Sequence, residues 1–340
     1  MDVIENETFD EVVDMSEYLD TASFEPDLHW NYTVRDLLRR GEVSLLYGPS
    51  NVGKSALAGL LASCVAAGAP FCGRPTRRGL VVHVAAESPT SVAERSIAYR
   101  DVCVPGEAAP YVVRRTAVNL GDPASVAKFL AELRFLARLH DEEVVLVIFD
   151  TLVLSLGGLD ENSTSDMTLV TEATKRIAAE FSAHVCLVHH CGKDGDRGAR
   201  GASAIKAAVD TEVELRPCDD GVTVLSRITK QRTLPKDGDI AFRIEAYRLG
   251  EDEDGRPRTT AMAVPAQAPS GSGKATRGKT SDFDRRSAVM TALHIMRQVG
   301  RADFTTGDVL VALPPEALAG VKSEDSRKKA VSRVLEKLAE

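Results

Sequence analysis

Apolar positions along this chain fall into short uninterrupted runs that alternate with stretches of helical period. Val43, Ser44, Leu45, Leu46 and Tyr47 read as a buried strand, and Ala56 to Val65 as a helix packed by Leu57, Leu60 and Leu61. Further strands are expected at Leu80 to Ala86, Tyr111 to Arg115, Val144 to Phe149 and Val185 to His189. Helices are expected between them at Pro89 to Arg100, Ala124 to Leu139 and Met167 to Phe181, and after them at Ala202 to Val209. Strands that are apolar throughout need cover on both faces, which predicts an α/β fold: a mostly parallel sheet with helices on each side. From Thr211 the pattern changes. Thr211 to Arg216, Val222 to Lys230 and Ile240 to Tyr247 follow one another without helices, and Asp219-Asp220-Gly221 reads as a hairpin turn. This predicts antiparallel strands added at one edge.

The pattern also divides the chain. Residues 41–250 form the expected core. Residues 251–281 begin Glu-Asp-Glu-Asp-Gly and continue with few large apolar side chains, the composition of a linker. Residues 282–340 form a small helical module, with helices expected at Arg285 to Val299, Thr305 to Leu313 and Ser326 to Ala339. In the last helix Val331, Val334, Leu335 and Leu338 share one face while Lys329 and Arg333 point away from it. That suits a DNA-binding helix-turn-helix unit, and equally a three-helix bundle for subunit contacts.

Charge sharpens this division. Residues 1–40, an acidic N-terminal segment, hold 3 basic and 11 acidic side chains, a balance of −8 that equals the formal charge of the whole chain. Residues 271–340 hold 13 basic and 9 acidic side chains, or +4. The acidic total therefore does not argue against a nucleic-acid partner. With 340 residues at 44% hydrophobic content, one full α/β core can be buried. The six cysteines include no C-x-x-C pair and read as reduced. No apolar run approaches about 18 residues, so a cytoplasmic protein with no membrane partner is expected.

The chemistry is concentrated in Gly48-Pro49-Ser50-Asn51-Val52-Gly53-Lys54-Ser55, a complete G-x-x-x-x-G-K-S between strand and helix, with Ala56 following. The glycines let backbone N–H groups turn toward a phosphate, and the helix presents its positive end to the same anion. Lys54 is expected to reach the β- and γ-phosphates of ATP, and Ser55 to hold Mg²⁺. Functional polar residues of a parallel sheet belong at the carboxyl ends of its strands. Val144 to Phe149 runs into Asp150, which reads as a second Mg²⁺ ligand, and Leu80 to Ala86 runs into Glu87. Val185 to Val188 runs into His189-His190-Cys191-Gly192-Lys193. His83 lies inside its strand and reads as core.

Together these motifs resemble the RecA-like P-loop ATPases, most closely the branch of the plasmid-encoded RepA hexameric helicases, with DnaB, RadA and KaiC more distant. The resemblance covers about residues 41–248 and rests on Gly48 to Ser55, Ala85-Ala86-Glu87-Ser88-Pro89 followed by Arg95, Ile148-Phe149-Asp150, His189-His190 with Lys193, Arg200-Gly201-Ala202-Ser203-Ala204 and Lys230-Gln231-Arg232. It implies that Glu87, at the rim of a strand beside the phosphate loop, orients and deprotonates the attacking water. It implies that His190, with His189 as the alternative, senses the γ-phosphate. It implies that Arg200, Lys230 and Arg232 reach the nucleotide of the next subunit, so that hydrolysis requires a ring oligomer, a hexamer in that branch. Two loops are then expected to face a central channel. Ser155 to Asp166 reads as flexible but lacks basic residues, whereas Gly192 to Gly201 carries Lys193, Arg197 and Arg200 and is the better candidate to grip single-stranded DNA. The resemblance implies a replicative DNA helicase of plasmid or phage type; the alternative is a regulatory ATPase, like KaiC relatives, that switches protein partners.

Overall fold

The computed structural model describes residues 20–25, 31–103, 109–190, 202–236, 238–268, 305–312 and 323–339. In residues 20–25 the Asp20 carboxylate accepts from the Ala22 N–H at 3.0 Å and the Ser23 hydroxyl at 2.8 Å, closing a turn. A small ribbon, β1 (Tyr32–Val34) with β2 (Leu38–Arg39), precedes the main body. Then come β3 (Val43–Gly48), α1 (Lys54–Ala67), β4 (Leu80–Val84), α2 (Pro89–Cys103), β5 (Tyr111–Arg114), α3 (Pro123–His140) and β6 (Val144–Asp150). They are followed by α4 (Thr164–Phe181), β7 (His184–His190), α5 (Ala202–Ala208), β8 (Thr211–Pro217), β9 (Thr223–Gln231), β10 (Ile240–Glu251) and β11 (Pro257–Ala266).

Nine strands form one sheet in the order β11-β10-β9-β8-β3-β7-β6-β4-β5. The stretch from β8 to β5 is parallel, and β9 and β10 extend it antiparallel, as the two patterns along the chain predict; β8, expected among the antiparallel strands, instead pairs parallel with β3, and β11 adds a further antiparallel strand. A single strand, β7, separates the strand before the phosphate loop from the one that ends in Asp150. Because side chains alternate across a strand, each parallel strand feeds two cores. Leu46, Val81, Leu146, Ile148, Cys186 and Val188 pack with α1 and α2. Leu45, Val82, Val147, Phe149, Val185 and Leu187 pack with α3 and α4. Each such fully buried aliphatic or aromatic side chain contributes about 1.5–3 kcal/mol.

Two expectations are corrected. The segment from 251 onward is not linker throughout, because β11 pairs with β10 from Ala241↔Ala266 to Glu251↔Pro257. The acidic run is its hairpin tip, where the Asp252 carboxylate accepts from the Asp254 and Arg256 N–H groups at 3.0 and 2.8 Å. Beyond it Thr260, Met262 and Ala263 are buried. The Ser155 to Asp166 stretch is pinned rather than loose. Leu120 N–H donates to the Ser155 carbonyl at 2.9 Å, Asn119 packs against Gly157, and α4 already begins at Thr164 with the Ser163 hydroxyl as its cap. At the C-terminal end α6 (Thr306–Ala312) and α7 (Glu324–Ala339) pack together with Val309 and Val331 buried; the helix expected at Arg285 to Val299 lies outside the described residues. Among the described residues no helix is long and apolar enough to cross a membrane.

Candidate functional site

The carboxyl ends of the parallel strands meet α1 and α2 around a cavity of about 370 Å³. The loop from β3 to α1 forms one wall. Gly53 precedes the helix at φ 98°, where a Cβ would be strained and would meet the Ile244 side chain. A Cβ at Gly48 would fall 2.6 Å from the Leu215 carbonyl oxygen. No side chain caps α1, so its first-turn N–H groups keep their capacity for an anion. Lys54, 4% exposed, donates from Nζ to the Gly48 and Pro49 carbonyls at 3.0 and 2.7 Å. A buried ammonium beside uncapped helix N–H groups is a good starting state for phosphate binding.

Strand parity decides which other side chains arrive. On β6 the Leu146 and Ile148 face leads to Asp150; on β7 the Cys186 and Val188 face leads to His190; on β4 the Val81 face carries His83 and leads to Ala85 and Glu87. Asp150, Glu87 and His190 accordingly line the cavity with Lys54, Ser55 and Arg95, whereas His189 falls on the opposite face. His190 Nε2 stands 4.0 Å from Glu87 Oε2. The strand of Glu87 is not beside that of the phosphate loop, since β6 and β7 intervene, yet both edges open on the same cavity.

Two lining groups have unmet hydrogen-bonding capacity, Arg95 Nε and His190 Nδ1, which have no partner among the described residues; beneath the cavity, His83 Nε2 has none at bonding distance. That His83 nitrogen lies 3.5 Å from Asp150 Oδ2, an electrostatic contact longer than a well-made hydrogen bond. Burial raises the Asp150 carboxyl, but His83, the Ser55 hydroxyl and Arg95 outweigh it and hold the group below its usual range. Burial and Lys54 lower His190, against the pull of Glu87 and Asp150. The hydroxyl of Ser55 and the carboxylate of Asp150 are hard oxygen donors, a set that fits Mg²⁺.

The antiparallel strands complete the wall. Ile244 of β10 and Ala261 of β11 line the cavity, and Tyr99 of α2 ties them in by donating to the Ala56 carbonyl at 2.8 Å and accepting from the Ala263 N–H at 2.7 Å. Reasoning from sequence missed these contributions, His83 among them. Counting back by twos from Glu87 along β4 is the signal that could have found His83.

Lys230 and Arg232 are elsewhere. Thr211 pairs with Gln231, so the end of β9 lies with the amino ends of the parallel strands, opposite Gly48. Lys230 Nζ donates to the Lys206 and Ala207 carbonyls at 2.6 and 3.0 Å. Arg232 donates to the Ala207 carbonyl at 3.2 Å and pairs with Asp210 at 3.3 Å. Along the strand direction about five residues, roughly 17 Å, separate Arg232 from this chain's own phosphate loop, and about three residues, roughly 10 Å, separate Lys230 from it. Lys329 and Arg333 are exposed on α7. Lys193, Arg197 and Arg200 lie outside the described residues.

Residues 13–196 match the family model described as AAA domain. Among solved structures, the chain is similar to one described as an ATPase domain, with 14% identity, coverage of 60% of this chain and 82% of that one, and a TM-score of 0.44. No curated protein matches it in sequence.

Proposed function

This chain belongs to the AAA domain family, and from that membership we propose that it is a Mg²⁺-dependent ATPase that acts as a ring oligomer, a hexamer, on single-stranded DNA, as a RepA-like replicative helicase of plasmid or phage type. The observation that carries the reading is the convergence of Lys54, Ser55, Glu87, Asp150 and His190 on one cavity at the carboxyl edge of the sheet. In this reading Lys54 and the α1 N–H groups hold the phosphates of ATP, and Ser55 with Asp150 holds Mg²⁺. An ion held there would supply charge neutralisation for the phosphate groups. Glu87 takes the proton of the attacking water as its oxygen bonds to the γ-phosphorus, and the bridging oxygen leaves with the bonding pair on ADP. His190 donates to the γ-phosphate and loses that contact after hydrolysis. Arg232, Lys230 and Arg200 serve the next subunit's nucleotide; for Arg232 the separation of roughly 17 Å along the strands from this chain's own phosphate loop, about five strand residues, supports that reading.

The test is phosphate release with and without single-stranded DNA, followed by strand displacement on a forked duplex. Mg²⁺-dependent hydrolysis stimulated by DNA and productive unwinding are expected. Hydrolysis that ignores DNA would instead favour a regulatory ATPase that switches protein partners.

A further inference from the structure

His83 is a polar side chain in the middle of an otherwise apolar strand, and it is fully buried. Burying an imidazole is unfavourable unless both ring nitrogens are used. Nδ1 lies 2.8 Å from the Tyr111 hydroxyl on the neighbouring strand β5, and Nε2 faces Asp150 Oδ2 at 3.5 Å. The Tyr111 hydroxyl has no other hydrogen-bond partner among the described residues. If Nδ1 carried the ring hydrogen, the Tyr111 proton would have no acceptor, and a lone pair on Nε2 would face the carboxylate. Only one tautomer suits both neighbours: Tyr111 donates to Nδ1, and Nε2–H faces the Asp150 carboxylate.

We propose that His83 is a positioning residue for the metal-site carboxylate: it engages Oδ2 of Asp150 from behind, with its tautomer fixed by Tyr111, and so leaves the other oxygen to a divalent cation beside Ser55. The three residues come from adjacent strands, β5, β4 and β6, so the relay runs across the sheet beneath the cavity. Outer-shell groups of this kind orient a ligand that a flexible carboxylate would otherwise present in several ways. The inference rests on Asp150 being a cation ligand, as the proposed function holds.

A fluorescent ADP analogue titrated into the full chain, in EDTA and across a Mg²⁺ series, tests it without any turnover. In His83→Leu the affinity in EDTA should stay within about twofold of the parent, while the Mg²⁺ needed for half-maximal enhancement should rise about tenfold or more. Tyr111→Phe should shift it the same way by about threefold, and His83→Gln, whose amide N–H can replace Nε2–H, should recover most of the loss. A folded His83→Leu protein with the parent's Mg²⁺ dependence would overturn the proposal. Should that variant fail to fold, as judged by melting in EDTA, an unchanged Mg²⁺ dependence in Tyr111→Phe would overturn it instead. Asp150→Asn separates the two levels: if it too leaves Mg²⁺ dependence unchanged, the cation site itself has been wrongly assigned.

Discussion

The two ends of the same sheet are built to opposite standards of completeness. At the amino ends of the parallel strands Arg232 pairs with Asp210, Lys230 closes the end of α5, and His184 bridges the Ser44 hydroxyl and the Arg39 carbonyl at 2.8 and 2.7 Å, with one buried oxygen of Glu42 left without a partner among the described residues. At the carboxyl ends Arg95 and His190 keep unsatisfied nitrogens in the cavity that a buried lysine also lines. Leaving buried polar groups unmet costs about 1–3 kcal/mol each, so such a cluster persists where a ligand completes it. Completeness marks scaffold and incompleteness marks site. The proposed trans-acting residues strain that rule, because Lys230 and Arg232 sit at the satisfied end.

Arg232→Ala is therefore the sharpest way to break the comparison. As scaffold alone, its half-exposed ion pair is worth about 0.5 kcal/mol and turnover should hardly change. As a residue that reaches a neighbour's nucleotide, its loss should lower ATP turnover about 10⁴-fold, with activity returning in mixtures with Glu87→Gln subunits. Glu87→Gln by itself should lower turnover about 10³-fold while leaving binding of an ATP analogue near the parent value. Near-parental hydrolysis by that variant would remove Glu87 as the base.

Acid tests both ends at once. Burial drives both His184 and His189 down to about 4, so both rings stay neutral in the folded chain well below the usual value of 6.5. Below about pH 6.5 the unfolded chain takes up protons that the folded chain refuses. Stability should hold above that pH and decline as it falls toward 4, by about 3 kcal/mol for His184 alone. Chemical denaturation between pH 7 and pH 4 measures this, and His184→Gln should flatten the decline. A pH-independent midpoint in the parent would contradict the neutral assignments. The smallest effect is expected from Tyr99→Phe, which removes the two hydrogen bonds joining α1 to β11. It should lower stability by about 1–2 kcal/mol in thermal or urea melts, and an unchanged melt would mean the hairpin is held without it.

How far the sequence spoke depended on how local each signal was. The phosphate loop and Asp150 are written in consecutive residues, and the parallel strands are apolar over their whole length, so both could be read directly. The sheet order could not. Glu87 was expected on a strand beside the phosphate loop, and nothing in its own segment reveals that β6 and β7 lie between. β11 was hidden because the acidic run that reads as linker is the tip of its hairpin, and because Ala and Pro dilute the alternation of Thr260, Met262 and Val264. His83 was legible as core but not as part of the site, since its partners Tyr111 and Asp150 come from two other strands.

The hairpin that lays Ile244 over Gly53 and binds Tyr99 through Ala263 also sets a timetable. A ribosome makes the phosphate loop early and the hairpin some two hundred residues later, an interval of roughly 10–40 s at ordinary elongation rates. During that time the nascent chain carries the phosphate-loop residues without the wall that completes their pocket. The last strands translated are the ones that finish the first motif made, so a truncated product ending before Ala266 would carry the whole P-loop signature and an open, unfinished nucleotide site.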